Sequence, residues 1–207
     1  MVLAKRQEEN RTAGPAPGSS PALQWLWQHI SHLRRPGCFE CGPIFHSTLN
    51  VLFARGATVY HSDLVTPAQQ GNVEFWSRQG KTPVFLTADF LNQIPPIPPA
   101  SLAMICCWGL LDLVPHEALP ELLLRFHSYL QPGGVLLSIL REPSLTAGAE
   151  TRWWFESLTV LGSSDSTQKA FPYPAVTNRE MERFFPGSNI KTFLTRSHRR
   201  EVLAIKA

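Results

Sequence analysis

PGCFECGPIFHSTLNVLFARGATVYHSD, residues 36–63, is the stretch whose reading decides the fold. It reads as a strand end, a tight turn, a helix, a second turn and a second strand. In Glu40-Cys41-Gly42-Pro43, Gly42 permits close backbone approach and Pro43 suits the first position of a helix. Ile44, Leu49, Leu52 and Phe53 recur at roughly helical spacing. Arg55-Gly56 closes that helix, because glycine just past a helix end takes the left-handed conformation freely. Residues 57–62 are short and β-prone, with Asp63 at their carboxyl end and Leu64 following. An acid about 20 residues after a glycine turn brings a carboxylate to ribose hydroxyls in dinucleotide-type folds. The unit points to a nucleoside-containing ligand.

Upstream, residues 1–20 are rich in Gly, Pro, Ser and charge and predict a disordered tail, leaving 21–207 as a single domain. Residues 21–33 predict an amphipathic helix starting near Ser19 or Ser20. Its Trp25, Leu26, His29, Ile30 and Leu33 pack on the domain, or Trp25, Trp27 or His29 lids a pocket. Downstream, 67–80 predicts a helix with Val73, Phe75 and Trp76 turned inward. Residues 82–87 predict a third strand ending at Ala88-Asp89-Phe90. Prolines make 94–99 a stiff connector. SLAMICCW, 101–108, is a continuous apolar run, the mark of a strand buried on both faces of a parallel sheet. A helix over 116–130 and a buried strand over 135–140 flank Gln131-Pro132-Gly133-Gly134. The pattern loosens over 141–177, where Trp153, Trp154, Phe155, Phe171 and Tyr173 either cap a small-molecule acceptor or pack an extra helix. A capping-box start at Thr177 and strands near 190–195 and 201–206 complete an α/β domain with a doubly wound, mostly parallel sheet.

A chain of 207 residues fits one domain with a sizeable core, and a net charge of +3 without a dense basic tract argues against nucleic acid. No apolar run approaches a membrane span, and the N-terminus lacks a signal-peptide core, so the expected location is cytoplasmic. Cys38, Cys41, Cys106 and Cys107 then read as core or pocket-lining thiols rather than a metal or redox set. Adjacent Cys106 and Cys107 point to opposite faces of a strand and cannot easily ligate together.

The order of these landmarks resembles the class I S-adenosylmethionine-dependent methyltransferases. CGPIFHSTLNVLFARGATVYHSDL looks like the family's first turn, its helix and the second strand with its acid. VFLTADFL looks like the third strand ending in an acid. ICCWGLLDLVPHEALPELLLRFHSYLQPGGVLLSIL looks like the fourth strand, its helix and the turn into strand five. REMERFFPGSNIKTFLTRSHRREVLAIKA is similar to the closing helix and the final β-hairpin. The likeness covers most of 38–206. It implies a seven-stranded sheet with one antiparallel strand near the C-terminus, S-adenosylmethionine as cofactor, and methyl transfer to a small-molecule acceptor. It also assigns the donor site. Glu40, Cys41, Gly42 and Pro43 form the loop at the methionine part, and Asp63, with Leu64 beside it, meets the ribose. Asp89 meets the adenine with Phe90 as an apolar face, and Cys107 and Trp108 line the methyl end. In-line positioning and loss of water around the cation can supply much of the acceleration, so the absence of a recognisable catalytic base does not exclude methyl transfer.

The first loop of that family usually reads acid-x-Gly-x-Gly-x-Gly. One placement puts Cys38 at the acid, Glu40 at the first glycine and Ile44 at the last. The other makes Glu40 the acid that holds the ligand's ammonium, with the turn shifted. The eroded loop keeps a second function open: a methyltransferase-like domain without donor binding that acts as a scaffold or regulatory protein partner. A different nucleoside binder would also use Asp63, but Asp89-Phe90 and the Pro-Gly-Gly turn argue against it.

Overall fold

The computed structural model describes residues 18–69, 73–77, 83–195 and 199–207. Among the described residues ten strands and six α-helices follow in order: α1 (Pro21–His29), β1 (Gly37–Glu40), α2 (His46–Ala54), β2 (Thr58–His61), α3 (Val65–Gln69), β3 (Trp76–Ser77), β4 (Val84–Phe85), α4 (Thr87–Leu91), β5 (Leu102–Trp108), α5 (Leu119–Tyr129), β6 (Leu130–Arg141), β7 (Ala147–Phe155), β8 (Leu161–Ala170), α6 (Asn178–Phe184), β9 (Ser188–Leu194) and β10 (Arg199–Lys206).

The central sheet has the order β2-β1-β5-β6-β10-β9. β2, β1, β5 and β6 are parallel, and β10 runs antiparallel to both of its neighbours. Every residue of β5 is buried, as a strand covered on both faces requires. Phe39, Ile105, Cys107, Leu119, Phe126 and Met181 belong to the core on one face. Ala22, Leu26, Cys38, Leu52, Cys106 and Trp108 belong to the core on the other. Helices therefore cover both faces, as a doubly wound sheet demands.

Local chemistry explains the boundaries. Ser20 caps α1 by accepting the Leu23 N–H at 3.0 Å, with Pro21 at the first helical position. The Ser20 hydroxyl also donates to Glu201 Oε2 at 2.8 Å, and the Ala22 N–H donates to the same oxygen at 3.0 Å. Ser19 bridges Val160 and Ser20 is fully buried, so residues just before α1 pack on the domain. Gly56 sits at φ +69 after α2, the left-handed stop its position requires. Thr177 and Glu180 complete the reciprocal capping box of α6.

Several elements differ from expectation. The sheet has six strands among the described residues rather than seven: Val84–Phe85 pairs with Trp76–Ser77 as a two-residue ladder apart from the main sheet. Only a few apolar residues stand between Pro83 and the next helix, too few to hold a sheet edge. The helix expected over 67–80 shortens to α3, followed by a 3₁₀ turn and β3; residues 70–72 and 78–80 lie outside the described ones. α2 starts at His46 with Phe45 at its N-cap, so Pro43 stands before the helix instead of opening it. Ile44 and Phe53 are exposed, and Thr48 and Leu52 form the buried face. The loose stretch after Arg141 is a long antiparallel hairpin, β7–β8, and not an extra helix.

Candidate functional site

The strand order reverses between β1 and β5, and the carboxyl ends of the parallel strands meet there, where open α/β sheets bind ligands. Backbone hydrogen bonds set the loops. Cys41 N–H donates to the Cys106 carbonyl at 3.1 Å, Ser62 N–H to Glu40 at 3.1 Å, and Leu64 N–H to Cys41 at 2.9 Å. Glu40 ends β1 with its side chain fully buried. Its Oε1 accepts the Gly42 N–H at 3.1 Å and the indole N–H of Trp108. Its Oε2 is buried with no hydrogen-bond partner. Burial pushes the carboxyl up to about 8, against the lowering pull of the Trp108 and Gly42 donors; nearby Asp63 raises it slightly further.

Gly42 is required by packing. A Cβ there would lie 2.7 Å from Trp108 Cδ1, so the indole fills the room over the turn. The Gly42 carbonyl accepts from His61 Nε2 at 2.9 Å, which fixes the proton on that ring nitrogen. His61 thus acts as a brace of the turn. Trp108 itself is 2% exposed at φ +48, a left-handed backbone that costs a bulky residue energy. Its ring meets Phe155 at 5.1 Å.

The other expected site residues fall in different places. Asp63 Oδ1 accepts the Thr66 N–H at 2.9 Å, an N-cap contact to α3. Leu64 and Cys107 are buried in the core behind the site. Asp89 does not end a strand; it is an exposed residue in the first turn of α4. Phe90 is 1% exposed and packs edge-on against Phe75, so its ring faces the core. Pro43 is partly buried between the turn and α2. Glu40, Gly42 and Trp108 form one contact group with Asp63 close by, whereas Leu64, Asp89, Phe90 and Cys107 do not join it.

The thiols sort by face as strand alternation dictates. Cys38 and Cys106 lie together with sulfurs 3.9 Å apart, and Cys41 with Cys107 line the opposite core. All four are free and fully buried, and burial raises the Cys41 and Cys106 thiols well above their usual range. Among the described residues no three His, Cys, Asp or Glu side chains gather as a metal set.

The β7–β8 hairpin packs against the start of α2. Trp154 stacks on Phe45 at 4.6 Å, and the Phe155 N–H donates to Thr48 Oγ1 at 3.0 Å. Beside it, a space of about 30 Å³ borders Val65, Gly109, Asp112, Trp153, Phe171 and Arg199. Arg141 and Arg199 were not singled out from the sequence. The signal was present, since Arg141 abruptly ends the apolar run VLLSIL and Arg199-Arg200 opens the last strand. A larger groove of about 450 Å³ lies on the α1 side, between Gln24, Trp27, Arg55 and Leu158, so Trp27 borders an open groove away from the strand ends.

The fold is that of the class I S-adenosylmethionine-dependent methyltransferases. The chain superposes on the Burkholderia thailandensis 1,6-didemethyltoxoflavin-N1-methyltransferase with a TM-score of 0.50 at 16% identity, over 90% of this chain and 77% of that one. That structure holds 1,6-didemethyltoxoflavin and S-adenosylhomocysteine. An S-adenosylmethionine-dependent methyltransferase from Clostridium acetobutylicum aligns at a TM-score of 0.48 and 12% identity, over 90% and 91% of the two chains. The likeness is one of fold. At the level of sequence, no family model and no curated protein matches. Among the described residues no helix is long and apolar enough to cross a membrane.

Proposed function

We propose that the chain binds S-adenosylmethionine beyond β1, β2 and β5 and transfers its methyl group to a small-molecule acceptor. The observation that carries this reading is Glu40, a buried carboxyl at the topological switch point with one oxygen hydrogen-bonded to the turn and the other left without a partner. An orphaned buried acceptor of that kind is costly unless a ligand donor completes it, and the ammonium of a methionine moiety is such a donor. This is the placement in which Glu40 is the acid of the first loop and Gly42 its first glycine.

When bound, the cofactor supplies an electrophilic methyl on a sulfonium. The chain's own residues bind and orient. Glu40 would hold the ammonium, Asp63 would accept from the ribose hydroxyls, and Asp89, in the first turn of α4, would take the adenine amino group. For the methionine part to reach Glu40 and Gly42, the Trp108 indole would have to leave its place over them and give up its bond to Glu40. The β7–β8 hairpin would exclude water from the cation. Free buried thiols suit a reducing cytoplasm.

One observation favours the second reading, a domain without donor binding that serves a protein partner. The indole of Trp108 occupies the space over Gly42 that the methionine part would need. Calorimetric titration with S-adenosylmethionine and S-adenosylhomocysteine separates the two. Donor binding predicts micromolar affinity that Asp63→Ala weakens about tenfold, the loss of charged or paired hydrogen bonds to the ribose. No heat and no thermal shift at millimolar ligand would overturn the enzyme reading.

A further inference from the structure

A second polar cluster sits at the ends of β5 and β6 and the start of β10, and the donor site does not use it. Arg141, the last residue of β6, is 1% exposed. Its backbone N–H donates to Asp112 Oδ2 at 2.8 Å, its Nη2 donates to the Tyr173 carbonyl, and its guanidinium lies 4.1 Å from the centre of the Phe171 ring. Its Nε and Nη1 are buried without a hydrogen-bond partner. Neighbouring Arg200, 6% exposed, spends its donors on the Arg141 carbonyl at 3.2 and 3.0 Å and on Asn178 Oδ1 at 2.8 Å. Arg199 donates to Thr151 Oγ1 at 2.6 Å and stacks over Trp153 at 5.6 Å.

Asp112 is the buried carboxylate near all three arginines, but Asp165 acts more strongly than Asp112 on Arg199 and accepts from the same Thr151 hydroxyl at 2.6 Å, while Glu142 acts on Arg200 after Asp112. A guanidinium cannot shed its proton. Left with unpaired N–H groups in the interior, it is strongly unfavourable unless an anion or water completes it. The space of about 30 Å³ beside the cluster is bordered by Asp112, Phe171, Trp153 and Arg199, and by Gly109 immediately after Trp108. That volume admits a carboxylate head but no whole molecule, since small-molecule pockets run to roughly 300 Å³ or more. The body of a ligand must therefore displace an aromatic wall, Trp153 or Phe171.

We propose that this cluster binds the carboxylate of a small aromatic acid, with Arg141 and Arg199 donating to the anion and the Trp153 and Phe171 rings flanking its planar body. The carboxylate is the handle, and its neighbour Gly109 sets the molecule next to the methyl end of the donor site. Calling the bound acid the methyl acceptor rests on the methyl-transfer reading; the anion site itself does not.

The test is titration of the full chain with sodium benzoate, sodium phosphate and sodium chloride at matched ionic strength. Thermal unfolding and tryptophan fluorescence are the readouts. Benzoate is expected to stabilise saturably in the millimolar range and to perturb tryptophan emission, with phosphate at least tenfold weaker. Arg141→Gln is expected to weaken benzoate at least tenfold. If that variant does not fold, Arg199→Gln carries the same expectation. The proposal is overturned if benzoate does no more than chloride, if phosphate binds as tightly, or if a folded variant keeps the parent's benzoate affinity. Failure here with S-adenosylhomocysteine still bound leaves the donor reading intact. Benzoate binding by a protein that does not bind S-adenosylhomocysteine keeps the anion site and removes only its assignment to the methyl acceptor.

Discussion

Burial at the end of β1 leaves Glu40 protonated at neutral pH, with its carboxyl held near about 8. An ammonium placed against Oε2 favours the carboxylate, so donor binding must expel that proton. Affinity for S-adenosylhomocysteine is therefore expected to rise by nearly tenfold per pH unit from pH 6 to 8 and to level off above. Calorimetry at pH 7 in buffers of different ionisation heat reads the released proton directly. Glu40→Gln removes both the slope and the release; a flat profile in the parent protein shows that no ammonium meets this carboxyl. The same residue explains what the sequence could show of the site. Glu40, Gly42 and Asp63 stand out by residue type and spacing. The partner that unites two of them, Trp108, is 66 positions beyond Gly42 and reaches it only through the pairing of β1 with β5. No local pattern announces such a contact.

At the scale of elements, helix caps differ in worth according to what else they hold. Thr177 bonds only within its capping box, and Thr177→Ala is expected to cost about 1 kcal/mol. Ser20 caps α1 and also donates to Glu201, which is 4% exposed. Its loss leaves a buried carboxyl short of a donor, so Ser20→Ala is expected to cost about 2–3 kcal/mol. Urea unfolding of the two variants checks the order; equal losses would show that the Glu201 contact adds nothing. Element legibility followed hydrophobic strength. β5 and the apolar half of β6 are runs with no competing period, and both are where the sequence puts them. β8 reads LGSSDSTQKA, with almost no apolar residue, because its strand status comes from pairing with β7 and not from its own side chains. The acid at 89 was misplaced for a related reason: two paired residues of β4 give a strand too short to carry it.

For the whole molecule, buried carboxyls dominate the response to pH. Burial raises Glu40, Asp112 and Glu201 above their ordinary values. A raised acid takes up its proton on folding, so its stabilisation is full below the unfolded value and is lost as pH climbs through the folded one. Glu40 alone accounts for roughly 2–3 kcal/mol between pH 6 and 8.5. The protein should thus unfold at distinctly lower urea concentration at pH 8.5 than at pH 6, and Glu40→Gln should narrow the gap. A higher midpoint at pH 8.5 would contradict the burial of these groups as acids.

The antiparallel strand β10 lies between β6 and β9, yet Arg200 bonds back to Arg141 across 59 residues of chain. β10, next to the edge strand β9, can pair with β6 only after that length of chain has closed into a loop. Until β10 slots in, the 135–140 segment of β6 presents an open, sticky margin to any other chain in reach. Contacts of such long sequence separation form slowly, so refolding yield is expected to rise on dilution.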